Sequence, residues 1–128
     1  MPGRIYLTLA ETIEIHRQLI EEFGGSHGLR NQAGLEATIF RPQAGYYNDL
    51  AEEAAALMES LVNNYPFIDG NKRVSFAATD TFIRLNGFYL EVEQQATADF
   101  MITNIAKSTL RFDALREWIG SKIKPLDE

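Results

Sequence analysis

Between residues 8 and 23 the apolar positions recur at helical spacing. Leu9, Ile13, His16, Ile20 and Phe23 share one stripe, and Thr8-Leu9-Ala10-Glu11 supplies a capping box ahead of it. Gly24-Gly25 then stops the predicted helix. GSHGLRN reads as a loop, after which Asn31 caps a short helix carrying Leu35 and Ile39 that must end before Pro42. QAGYYND is a second loop, whose Tyr46 and Tyr47 are read either as exposed or as covering an edge of the core. Asp49-Leu50-Ala51-Glu52 repeats the capping logic and opens an alanine- and leucine-rich helix with Leu50, Ala54, Leu57 and Leu61 on one stripe. Pro66 ends it, and a further helix is predicted from Asn71 to Gly87, a good residue to follow a helix C-cap. FYLEV alternates like a strand and is expected to pair with RIYLT near the start. Two last helices are predicted, around Thr97 to Lys107 and around Phe112 to Ile123, the second presenting Leu115, Trp118 and Ile119. The pattern gives an all-α bundle of about six helices and allows one short β pair.

Composition narrows the class further. With 128 residues, 45% of them hydrophobic, the chain reads as one domain, 1–128, able to bury a real core. A net charge of -6 argues against direct, non-specific binding to nucleic acid, whose phosphates call for a basic face. The chain has no cysteine, so disulfides, thiolate nucleophiles and thiolate metal sites are all excluded. No segment reaches the roughly 20 apolar residues that span a bilayer, and the first residues carry acids where a signal peptide would be apolar. A soluble cytoplasmic protein without a membrane partner is the expectation.

YPFIDGNKR, residues 65–73, concentrates the candidate chemistry. It is a loop feeding a helix N-terminus, where the first-turn N–H groups lack helical partners and the macrodipole is positive. Such a terminus attracts phosphate. Gly70 lets the backbone approach closely, Asn71 offers an amide, Lys72 a compact charge and Arg73 a fork of donors. Asp69 would repel phosphate, so its expected role is to hold a Mg²⁺ that bridges phosphates. By spacing alone a solvated Asp-Gly turn is the simpler reading.

The stretch resembles the signature of the Fic/Doc family, histidine-x-Phe-x-Asp/Glu-Gly-Asn-Gly/Lys-Arg. Phe67, Asp69, Gly70, Asn71 and Arg73 match, and the flanking GLRNQAGLEATIFRPQ and TFIRLNGFYLEV are similar to the Doc branch, so the resemblance covers most of the chain. It implies the all-α Fic fold, ATP and Mg²⁺ as cofactors, phosphates held by Gly70, Asn71, Lys72 and Arg73, Mg²⁺ on Asp69 and Phe67 as the buried anchor of the loop. Lys72 stands where AMP-transferring members have glycine, and Phe76 where they have a second arginine. Similarity to the Doc branch therefore implies γ-phosphate transfer to a threonine of an elongation factor Tu-like protein, halting translation, and neutralisation by a Phd-like antitoxin. The alternatives are Fic-type adenylyl transfer (AMPylation) and a non-catalytic, antitoxin-binding pseudoenzyme.

Tyr65 occupies the position of the family's catalytic histidine. An imidazole titrates near neutrality, whereas a phenol with a pKa of about 10 is ionised in only about one molecule in a thousand at pH 7. The chain is expected to be inactive or nearly so. One C-to-T change turns a histidine codon into a tyrosine codon, so the expected origin of Tyr65 is a detoxifying substitution, selected or engineered.

Several other residues have plainer readings. His16 is expected as a satisfied, half-buried residue, His27 as an exposed loop residue, Ser75 and Thr79 as helix packing, and Trp118 as core. Glu11, Glu14, Glu21 and Glu22 form a solvated acidic face.

Overall fold

In the computed structural model, residues 3–93 and 111–126 are described. Five α-helices are present among them: α1 (Leu9–Phe23), α2 (Gln32–Phe40), α3 (Leu50–Asn64), α4 (Asn71–Leu85) and α5 (Phe112–Lys122). A 3-10 turn, Arg41–Gln43, continues α2 through Pro42. Two short strands, β1 (Phe88–Leu90) and β2 (Ile123–Pro125), pair antiparallel, with Tyr89 opposite Lys124. The helix expected around Thr97 to Lys107 lies outside the described residues. No helix among those described is long and apolar enough to cross a membrane.

The helix starts follow the sequence. Thr8 accepts the Glu11 N–H while the Glu11 carboxylate accepts the Thr8 N–H, a complete capping box. Asn31 caps α2 by accepting from Gly34, and Asp49 caps α3 by accepting from Glu52. α4 ends at the Asn86 C-cap, with Gly87 following at φ 89°.

Packing corrects the sequence reading in three places and divides the two loop tyrosines. α3 was expected to show one apolar stripe, but ten of its residues are buried, Glu53 and Ser60 included, because α2, α4, α5 and the 3-10 turn surround it. Its small residues allow this: Ala54, Ala55 and Ala56 let neighbouring backbones approach closely on several sides, while Leu57, Met58 and Leu61 fill the core. On α1 the buried line is Thr12, His16 and Ile20, whereas Ile13 and Phe23 face outward. Residues 88–90 pair with the segment after α5 and not with RIYLT. The N-terminal segment is instead held by Asn86, whose side chain accepts from the Ile5 N–H and donates to the Ile5 carbonyl. Of the two loop tyrosines only Tyr46 is at the surface, at 82% exposure. The Tyr47 hydroxyl accepts from Arg41 and its ring packs on Phe112.

Arg41 ties this side of the bundle together. It donates to Tyr47, to Ser60 and to the Ala56 carbonyl, and it pairs with Glu59 at 2.8 Å. Glu59 in turn accepts the Phe112 N–H at the start of α5. Leu115 and Ile119 bring α5 onto α3, with Trp118 half-buried beside them. The acidic face of α1 is exposed, as expected. There Arg17 and Gln18 hydrogen-bond Glu14 and hold its carboxyl down to about 2.

Two measurements test this packing. Thr79 is fully buried on α4, and its hydroxyl is the one buried side-chain polar atom without a partner among the described residues. Thr79→Val, which keeps the shape, is expected to raise the urea unfolding free energy by about 1 kcal/mol. A loss of stability would show that the hydroxyl is satisfied. Burial, and then the neighbouring Glu53 carboxylate, push the Tyr6 phenol above its ordinary value, so the folded chain favours the neutral form. Stability from this group is complete below the unfolded value of about 10 and falls as pH rises through the higher folded value. Tyr6→Phe should flatten the alkaline loss of stability in urea titrations compared between neutral and strongly alkaline pH.

Candidate active site

The loop between α3 and α4 starts in strained backbone. Tyr65, the C-cap of α3, has φ 48° and ψ 55° and is the one non-glycine residue with positive φ among those described. A side chain in this region costs about 1–2 kcal/mol, and a following proline disfavours continued helix. The neighbouring α1–α2 loop holds it there. Arg30 donates to the Tyr65 carbonyl at 2.7 Å and to the Asn64 carbonyl at 3.1 Å, placing a cation on the C-terminus of α3. The Pro66 carbonyl accepts N–H groups from both Arg30 and Asn31, and the Ile68 N–H reaches the Gly28 carbonyl beside a bridge between Leu29 and Phe67. Strain at a candidate site, held by its surroundings, is where stored backbone energy is commonly found.

The rest of the loop is closed by its own side chains. Phe67 is buried, and the His16 ring stacks on it at 3.9 Å with an interplanar angle of 8°. The Asn71 side-chain oxygen accepts the Phe67 N–H at 3.0 Å, and its nitrogen donates to the Phe67 carbonyl at 2.9 Å. The Asn71 side chain is thus engaged in shaping the loop. The Asp69 carboxylate accepts the Gly70 N–H on one oxygen and the Ser26 N–H on the other. Gly25 must be glycine for that contact, since a Cβ there would lie 2.7 Å from the carboxylate and φ is 118°.

α4 then begins at Gly70, whose φ of 78° turns the chain into the helix. The first intrahelical bond is from the Val74 N–H to the Gly70 carbonyl, so the amides of Asn71, Lys72 and Arg73 precede the ladder. An open cleft of about 250 Å³ lies here, lined by Val62, Tyr65, Ile68, Asp69, Gly70, Asn71 and Lys72. Tyr65 borders it at 56% exposure. The structure therefore gathers Tyr65, Asp69, Gly70, Asn71 and Lys72 at one cleft. Arg73 is not among the lining residues, and its guanidinium lies 4.3 Å above the Phe23 ring at the end of α1. Phe67 lies beneath as the buried anchor.

Each Asp69 oxygen accepts one N–H and keeps a lone pair, and one carboxylate with phosphate oxygens and water is a donor set that suits Mg²⁺. Among the described residues no group of three or more His, Asp or Glu side chains converges to hold a metal without other ligands. Ser75 and Thr79 are buried within α4, and the Ser75 hydroxyl donates to the Lys72 carbonyl, so both are packing residues. His27 is exposed, 2.8 Å from Glu21. Sequence reasoning missed Arg30 and the loop-facing part of His16. Nothing local marks either, because their partners lie 35 and 53 residues away.

The domain is helical apart from one short strand pair, and its interlocked loops open the N-terminus of α4, the kind of position to which anions are drawn, onto a cleft beside one carboxylate. The chain belongs to the Fic/DOC family, whose family model matches residues 6–83, from the segment before α1 through most of α4. It is 41% identical over 76 residues to "Toxin Doc" of Mycolicibacterium smegmatis, a match spanning 56% of this chain and 58% of that protein. It is also 27% identical over 128 aligned positions to "Protein kinase doc" of Escherichia phage P1, covering 91% of this chain and 97% of that one.

Asn71→Ala tests the closure of the loop. It leaves the Phe67 N–H and carbonyl without their side-chain partner, and the expected cost is about 1–3 kcal/mol in urea unfolding. A change within error would mean that the loop holds its shape without the carboxamide.

Proposed function

We propose that this chain is a Doc-type toxin of a toxin–antitoxin module, with a site built to pass the γ-phosphate of ATP to a hydroxyl of an elongation factor Tu-like protein. Tyr65 in the base's position leaves it inactive or nearly so. The observation that carries this reading is the meeting of Asp69, Tyr65 and the first-turn amides of α4 at one cleft. Support also comes from the relatives, of which one is named a toxin and the other a protein kinase.

Each residue present has a task in that reading. The amides of Gly70, Asn71 and Lys72 and the Lys72 ammonium meet phosphate oxygens. Arg73 reaches the same phosphates by leaving Phe23. Asp69 would hold Mg²⁺, whose charge would offset the negative charge of the phosphates. Tyr65 lies where a proton acceptor for the attacking hydroxyl is needed, and a neutral phenol supplies none. Lys72 lines the cleft where a glycine would leave room, and Phe76 packs half-buried against the core and offers no phosphate donor. Both features favour γ-phosphate transfer over adenylyl transfer. A Phd-like antitoxin is the partner that would silence an active form. The identity of Tyr65 also favours a second reading, a pseudoenzyme that retains antitoxin binding.

Tyr65→His, expressed under tight repression, separates these readings. Restored function should arrest growth on induction and raise label transfer from γ-labelled ATP to purified elongation factor Tu by about 10²- to 10⁴-fold. Asp69→Ala in that background should abolish the transfer. Transfer of α-label would establish AMP addition. Neither arrest nor label of either kind would overturn the kinase reading and leave the pseudoenzyme.

A further inference from the structure

His16 is a buried titratable side chain that the proposed chemistry leaves without a role. It sits at 3% exposure on α1, fixed by its stack on Phe67, and its Nε2 lies 2.7 Å from the backbone carbonyl oxygen of Asp69. A carbonyl oxygen only accepts, so Nε2 carries the proton and donates. The bond therefore holds not the Asp69 carboxylate but the peptide plane joining Asp69 to Gly70.

In a trans peptide the C=O and N–H point in opposite directions. Pinning the Asp69 carbonyl toward α1 directs the Gly70 N–H the other way, where it meets the Asp69 carboxylate at 2.8 Å beside the cleft that both residues line. Rotating this plane by half a turn would put a carbonyl oxygen there instead. That oxygen would face the carboxylate and any bound phosphate, repelling both. Gly70 does not resist such a rotation, because glycine occupies positive and negative φ about equally and its φ is 78° only by context. The Gly70 N–H bond to Asp69 is a contact between adjacent residues at an exposed site and is open to competition from water. Among the described residues, the one side chain gripping the carbonyl end of this plane is His16.

We propose that His16 is a positioning residue: its Nε2–H locks the Asp69–Gly70 peptide with the N–H toward the cleft, so that phosphate meets a donor and not a carbonyl oxygen. This rests on the phosphate-site reading above. Stacking on Phe67 alone would call for any flat ring, and the donor is what a histidine adds there.

Two variants separate donor from ring. His16→Phe keeps the stack and removes the donor, while His16→Gln gives up the ring but retains a side-chain N–H of similar reach. The full chain and both variants, checked for folding by urea denaturation, are titrated calorimetrically with adenylyl imidodiphosphate and Mg²⁺. The expected result is binding weakened about tenfold or more in His16→Phe and largely rescued in His16→Gln. Equal binding by folded His16→Phe and the parent, or equal weakening in both variants, overturns the lock. Should His16→Phe not fold, His16→Leu takes its place in the comparison with His16→Gln. Crystal structures of the donor-less variant and the parent give a reading independent of nucleotide. An Asp69 carbonyl turned into the cleft in the variant supports the lock, and an unmoved peptide plane overturns it. No binding by the parent would count against the phosphate-site reading alone, and the peptide orientation then decides the role of His16.

Discussion

The Pro66 carbonyl oxygen accepts the backbone N–H groups of Arg30 and Asn31, and from this pair of bonds the α1–α2 loop is joined to the loop that opens α4. The Ile68 N–H to Gly28 bond and the Leu29–Phe67 bridge extend the join on one side, and the Arg30 guanidinium on the Tyr65 and Asn64 carbonyls extends it on the other. Without it nothing would hold Tyr65 in left-handed backbone, and the chain would leave α3 in another direction. The start of α4, and every group that faces the cleft, depends on that exit. A loop–loop contact of a few backbone bonds thus fixes the geometry of a site whose residues are otherwise exposed.

Around this join the molecule arranges rigid supports. α3 is buried on nearly all sides, so the end that carries Tyr65 has little freedom to shift. α1 reaches the site at three successive places: His16 beneath the loop, Phe23 under the Arg73 guanidinium, and Ser26, just past its end, on the Asp69 carboxylate. A side chain is precise only when its own partners are fixed, and here those partners are backbone groups and a packed helix. On the exposed acidic face of α1, Glu14 is held by Arg17 and Gln18.

Tyr65 stands at the edge of this cleft. The phenol borders the cleft, and none of the bonds described above as shaping the loop uses the Tyr65 side chain. The identity of the side chain at 65 is therefore decoupled from the bonds that shape the loop.

Helix boundaries were legible because capping is local. Thr8, Asn31 and Asp49 each satisfy an N–H three residues away, and Pro66 and Gly87 stop helices by their own backbone restrictions. The loop 65–73 was legible as a candidate phosphate site for the same reason, since its glycine, carboxylate and cations are contiguous. What the sequence could not determine was which faces met. The burial of most of α3, the pairing of β1 with β2, the placement of Arg73 over Phe23 and the grip of Arg30 and His16 on the loop all join residues far apart in the chain. Such contacts are chosen by packing the whole core at once, and no periodicity within one segment encodes them.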